Sequence, residues 1–218
     1  MRGNHALVLI VALLAQTQAA VGLHAQSMPP VTVGVIGGVA TTSLVGKDAA
    51  DDLESLRGVL AGVSAVFATR SKVQIEIDGL YATKGFRSKG PASSFDFTAS
   101  YVEMPVLVRL SLAPGARVRP FLAAGPAFGM RIACNVELTS TIGTQDWTCR
   151  DFERSANTDV GKTDLSGVLG AGVELPLGSM QGTVAARYTR GFSSVLGDHD
   201  NHFEAFSIYV GLSRTRRK

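Results

Sequence analysis

The sequence predicts an all-β fold: an eight-stranded antiparallel up-and-down transmembrane β-barrel, preceded by a cleaved signal peptide. Three observations predict it. First, Lys72–Lys84 and Tyr101–Leu112 alternate between two kinds of side chain for about a dozen residues. Period two is a strand signal, and 9–11 tilted residues cross a bilayer where globular strands average about 5–6. Second, the connections between alternating segments are short and long by turns, the sidedness of outer-membrane barrels. Third, mean hydropathy is high at +0.19 with 24 glycines in 218 residues, yet no run after the leader approaches the roughly 18 apolar residues of a membrane helix.

Residues 1–25 read as the leader. Arg2 and His5 precede an unbroken apolar run from Ala6 to Ala15, and a small-residue zone ends at Ala25-Gln26, which predicts cleavage after Ala25. The mature barrel then spans 26–213 and a basic tail 214–218. The eight expected strands are Val31–Ala40, Val59–Ala68, Lys72–Lys84, Tyr101–Leu112, Val118–Arg131, Lys162–Leu177, Gly182–Arg190 and Phe203–Ser213. Tight turns fall at Thr69–Ser71, Ala113–Arg117 and Gly178–Gln181, and long polar connections at 41–58, 85–100, 132–161 and 191–202. An even strand count leaves both termini on the periplasmic side, with the long loops outside.

Cys134 and Cys149 are the two cysteines. In an exported chain an even pair predicts a disulfide, here bracing the longest connection. Two cysteines without nearby histidines make a poor zinc site.

Opposed strands pair at a constant sum of residue numbers. A sum of 187 sets Lys84 against Glu103 and Asp78 against Arg109, with Leu80 facing Leu107 and Tyr81 beside Val106. The Gly178 turn predicts Arg187 across from Gly170, where a missing side chain leaves room for a long inward one. The inward charges are then Glu76, Asp78, Glu103, Asp164 and Glu174 against Lys84, Arg109, Arg119, Arg131 and Arg187. Such a balanced interior predicts a lumen filled by its own side chains. Lipid-facing positions are Val102, Met104, Val106, Val108 and Leu110 on one strand and Phe206, Ile208, Val210 and Leu212 on the last. Tyr81, Phe128, Tyr188 and Phe192 are candidates for aromatic girdles. Pro120 and Pro176 read as strand ends, and Pro105 and Pro126 as bulge markers.

Several motifs, in order, resemble those of bacterial outer-membrane β-barrel proteins of the PorT-like or "porin family" kind, small relatives in shape of OmpX and the OmpA membrane domain. They are Asp78-Gly-Leu-Tyr-Ala-Thr-Lys-Gly85, Val102-Glu-Met-Pro-Val106, Arg119-Pro-Phe-Leu-Ala-Ala-Gly-Pro126, Gly170-Ala-Gly-Val-Glu174 and Ala186-Arg-Tyr-Thr-Arg-Gly-Phe192. Asp78 stands where that family has Glu, which keeps the charge. The chain departs from it after Leu212, where Ser-Arg-Thr-Arg-Arg-Lys replaces the terminal aromatic that the assembly machinery reads. The resemblance implies residence in the outer membrane and this architecture more than any chemistry.

His199 and His202 lie in Gly197-Asp-His-Asp-Asn-His-Phe-Glu204. With Ser193, Ser194 and Glu204 they invite comparison with a lipid A-modifying barrel enzyme. A triad needs a base bonded to both nucleophile and acid, and the His-x-Ser spacing of those enzymes is absent. With Asp198 and Asp200 the histidines could instead bind a surface metal; a solvated loop tip is the plainer reading. The expected function is therefore structural or surface-interacting, without catalytic residues, metal or cofactor. Outer-membrane lipid and the assembly machinery are the expected partners, with an unidentified surface ligand for the loops, no nucleic acid, and a monomeric state. The alternative is an exported lipocalin-like barrel binding a small apolar ligand.

Overall fold

Along Ser93–Ser111 the side chains alternate inward and outward, but the two faces exchange chemistry half-way. From Val102 to Leu110 the outward residues are Val102, Met104, Val106, Val108 and Leu110, all exposed, while Glu103 and Arg109 are buried inside. Above Val102 the outward side chains become Ser100, Thr98, Asp96 and Ser94, and the inward ones Tyr101, Ala99, Phe97 and Phe95. Apolar-out within lipid and polar-out beyond it is the pattern of a wall that leaves the membrane and continues into water.

The computed structural model describes residues 30–47, 53–68, 72–90, 92–141, 143–156, 160–195 and 200–216. The strands are β1 (Val31–Val45), β2 (Leu53–Ala68), β3 (Val73–Lys89), β4 (Ser93–Ser111), β5 (Arg119–Ser140), β6 (Gly143–Thr148), β7 (Thr163–Leu177), β8 (Met180–Gly191) and β9 (His202–Arg216). Among the described residues one helix, α1 (Cys149–Ala156), follows β6. Each barrel strand pairs antiparallel with its sequence neighbour, β5 pairs with β7, and β1 closes on β9 from Val31–Arg216 to Val45–His202. β6 pairs with β5 alone, so it is a side arm on a closed eight-stranded barrel. The leader (1–25) and the turn Thr69–Ser71 lie outside the described residues.

Three expectations are corrected. The connections 41–58, 85–100 and 132–161 are largely strand, and β9 runs on through Arg214 to Arg216; their polar outward faces are those of a wall beyond lipid, which the search for apolar-outward strands could not register. The β3–β4 register differs as well. Lys84 faces Ala99, four positions from Glu103, while Leu80 faces Glu103 and Tyr81 faces Val102. A shift by an even number keeps every side chain on its own face although the neighbours change. Direct opposition failed as a guide because long charged side chains meet along and across the lumen.

Finally, Pro105 and Pro126 do not mark bulges. Pro105 stays paired with Ala127 and Pro126 with Gly167. Each proline instead leaves a two-residue gap on one side: the β3–β4 ladder skips from Ile77–Val106 to Leu80–Glu103, and the β4–β5 ladder from Pro105–Ala127 to Val108–Ala124, with register unchanged. The lost donor is absorbed as a missing rung. The bulge in the β4–β5 ladder lies higher, where Ser100 pairs with Ala133 but Tyr101 with Arg131. The extra residue flips the parity of β5. Below it Arg131 points in; above it Cys134 and Val136 join the inner aromatic cluster, and Leu138 shares their face of the strand. Pro120 and Pro176 do lie at strand ends.

Candidate functional site

The lumen holds two apolar clusters with charge among and between them. The lower contains Ile36, Leu60, Leu80, Leu107, Phe121, Val168 and Tyr209. The upper contains Leu44, Phe86, Phe97, Tyr101, Val136, Val160 and Phe203, with the Phe86 and Phe97 rings stacked at 5.3 Å. Two hollows in the lumen hold only about 20 Å³ each, room for about one water apiece.

A chain of six charges crosses the lower lumen. Arg187 Nη2 lies 2.5 Å from Glu76 Oε1 and 2.7 Å from Asp78 Oδ2. Glu76 Oε2 accepts from Arg109 Nη1 at 3.2 Å. Arg109 Nη2 lies 2.7 Å from Glu174 Oε1, which shares its carboxylate with Arg119 at 3.5 Å. Three guanidiniums thus balance three carboxylates. Aromatic faces add contacts: the Arg109 guanidinium sits 3.4 Å above the Phe121 ring and Arg187 4.6 Å above Tyr209. Asp78 Oδ2 and Arg109 Nη2 reach their counter-charges without hydrogen-bond geometry, so those contacts are electrostatic. Asp78 lies beyond reach of Arg109 in this register and is held by Arg187.

Higher up, Lys84 Nζ bridges Glu103 at 2.6 Å and Asp164 at 2.7 Å. The Lys84–Glu103 contact forms although the two residues are not opposite. Gly129 faces both carboxylates; a Cβ there would lie 3.4 Å from Asp164 Cβ and 3.6 Å from Glu103 Cγ. Gly170 does stand opposite Arg187, and an added Cβ would crowd its Cγ at 3.3 Å. These are close approaches that glycine permits.

At the outer end α1 folds back toward the wall. Cys134 and Cys149 are disulfide-linked with Cα atoms 5.4 Å apart. Arg131 Nη2 donates to Glu153 Oε1 at 3.1 Å, and the Val160 N–H donates to the same oxygen at 3.3 Å. Burial pushes the Glu153 carboxyl up, but these two donors outweigh it and hold it below its ordinary value of 4.5. Sequence reasoning missed this clasp, since Glu153 sits in what read as loop; an acid 22 residues from an inward arginine carries no periodic signal.

The loop cluster divides. His199 and Asp198 lie outside the described residues. Glu204 pairs with Arg190 at 3.6 Å, and Ser193 Oγ accepts from the Leu165 N–H at 2.9 Å. Among the described residues no group of three or more His, Cys, Asp or Glu comes together as a metal set.

Outside, Phe206, Ile208, Val210 and Leu212 on β9 are exposed, as are Tyr81, Phe128, Tyr188 and Phe192. A soluble lipocalin-like barrel would turn such residues inward, so that alternative is not favoured. Residues 15–197 match the family model described as "Outer membrane protein beta-barrel domain". The chain belongs to that family. It is an outer-membrane β-barrel protein, integral to that membrane through its strands. No curated protein matches it. Among solved structures it is similar to the outer membrane protein OprG from Pseudomonas aeruginosa, with 13% identity, 88% of this chain and 98% of that chain covered, and TM-score 0.49. Neisserial surface protein A is 14% identical over 84% and 96%, with TM-score 0.45. Ail, the attachment invasion locus protein of Yersinia pestis, is 13% identical over 85% and 99%, with TM-score 0.43.

Proposed function

We propose that this outer-membrane barrel is a sealed, monomeric wall protein with a structural or surface-interaction role, its outer end being the working part. The observation that carries this is the filled lumen, in which, among the described residues, the apolar clusters and charge networks leave two hollows of water size. Side-chain-filled small barrels conduct no bulk solute. Of the loop residues weighed for catalysis, Glu204 is engaged with Arg190 and Ser193 with a backbone amide. Within the family, Lys84-Gly85 and Arg119–Pro126 favour the PorT-like kind, inserted by the membrane's assembly machinery. Liposome swelling in arabinose and planar-bilayer recording test the reading. Intact vesicles and no stable conductance steps are expected; steady solute flux through folded protein would overturn it.

A further inference from the structure

The barrel wall parts between β5 and β7. Their ladder ends at Met130–Thr163, with one more bond from the Arg131 N–H to the Lys162 carbonyl. β5 does not pair with β6 until Asn135. The edge from Ile132 to Cys134 is therefore covered on that side by α1 and the disulfide, leaving a cleft of about 740 Å³. Three cations line it: Arg131, Arg150 and Lys162. Glu153 is occupied by Arg131, and Asp151 by Arg154 and by the Thr148 hydroxyl. Among the described residues neither Arg150 nor Lys162 has a carboxylate within ion-pair distance, although the Lys162 charge also acts on Glu153. Arg131 is the decisive group. Its side chain is only 8% exposed, one guanidinium nitrogen bonds Glu153, and Nη1 has no hydrogen-bond partner. A buried guanidinium N–H without an acceptor is costly, and a planar fork that shares one cleft with an ammonium and a second guanidinium suits a tetrahedral oxyanion. Ile132, 52% exposed at the top of the apolar belt, puts the cleft at the level of lipid headgroups.

We infer that the β5–α1 cleft binds a phosphate group, with Arg131, Arg150 and Lys162 as its donors. The inference rests on the outer end being the working surface. The group can come from a phospholipid headgroup or from a free phosphorylated solute, which share this chemistry. Glu153 competes with the ligand for Arg131, so the cleft gains affinity when that carboxylate is neutralised.

The test uses the full folded chain in maltoside detergent. Inorganic phosphate is titrated by calorimetry, and native mass spectrometry counts phosphatidic acid retained from nanodiscs against phosphatidylcholine. R150Q and K162Q change exposed side chains; R117Q, on the opposite rim, removes the same charge far from the cleft. Heat-modifiable gel migration establishes that each variant is folded. Expected are saturable binding in at least one arm, about tenfold weaker in R150Q and K162Q, unchanged in R117Q and tighter in E153Q. Binding in the phosphate arm alone identifies a free solute, and retention of phosphatidic acid alone a lipid headgroup; either supports the site. No binding in both arms, or equal loss in R117Q, overturns it. Neither result bears on conductance, so the sealed-wall reading stands or falls separately.

Discussion

Replacing Arg187 with methionine removes the one cation, among the described residues, that holds Asp78. Arg187 Nη2 lies 2.5 Å from Glu76 and 2.7 Å from Asp78, so each contact carries a gross attraction of about 6 kcal/mol at an effective dielectric of 20. Desolvation of the three ions offsets most of that. The methionine keeps the volume but strands Asp78, which is 1% exposed and has no other cation within ion-pair distance among the described residues. Glu76 retains Arg109 at 3.2 Å. Stranding one partner of a buried pair costs about 3–5 kcal/mol, and R187M is expected to lose that much in urea titrations of folded protein in lipid vesicles, read by gel mobility. The double variant D78N/R187M removes the stranded charge as well and should regain most of the loss. If R187M unfolds within about 1 kcal/mol of the parent, the network does not hold the wall together and the reasoning is refuted.

Two further outcomes concern the outer end. Replacing Cys134 and Cys149 with serine releases a crosslink of sequence separation 15, worth about 3 kcal/mol in the chain-entropy model; limited proteolysis should then cut within the β6–α1 arm while the barrel keeps its heat-modifiable migration, and an arm as resistant as the parent's contradicts the bracing role. The Glu153 clasp should fail in acid. Its carboxyl is held below the ordinary glutamate value, so its contribution is fully present above that value and is lost as pH falls through the lowered one. Hydrogen exchange at Val160, corrected for intrinsic rate, should show protection dropping below the ordinary glutamate range, and an identical profile in E153Q would show that another group is responsible.

The membrane-spanning part of this fold was legible in the sequence because a wall between lipid and a charged lumen must alternate. Strand number, facing and the Gly170–Arg187 opposition all follow from that period. The upper wall was illegible for the same reason. Above Val102 the two faces exchange polarity, so Phe95 and Phe97 read as scattered loop aromatics although they continue the inward row of Tyr101. On β5 the bulge near Ile132 breaks the alternation, which hides Val136 and Leu138. The site was half legible: parity identified which charges point inward, but partner choice depends on shear and side-chain reach. Hence Asp78 went to Arg187, and Lys84 acquired Asp164 from a strand eighty residues away.

The upper wall also has reach. Beyond Ile132 eight residues of β5 continue to Ser140. At about 3.3 Å each and a tilt of about 40°, they rise roughly 20 Å above the apolar belt. Backbone hydrogen bonds to β4 and β6 hold that height, so the barrel carries its tip as a post and not as a tether. A tether must surrender conformational freedom to each partner it meets. A post has surrendered it already during folding, and a few contacts at its tip suffice for a measurable encounter.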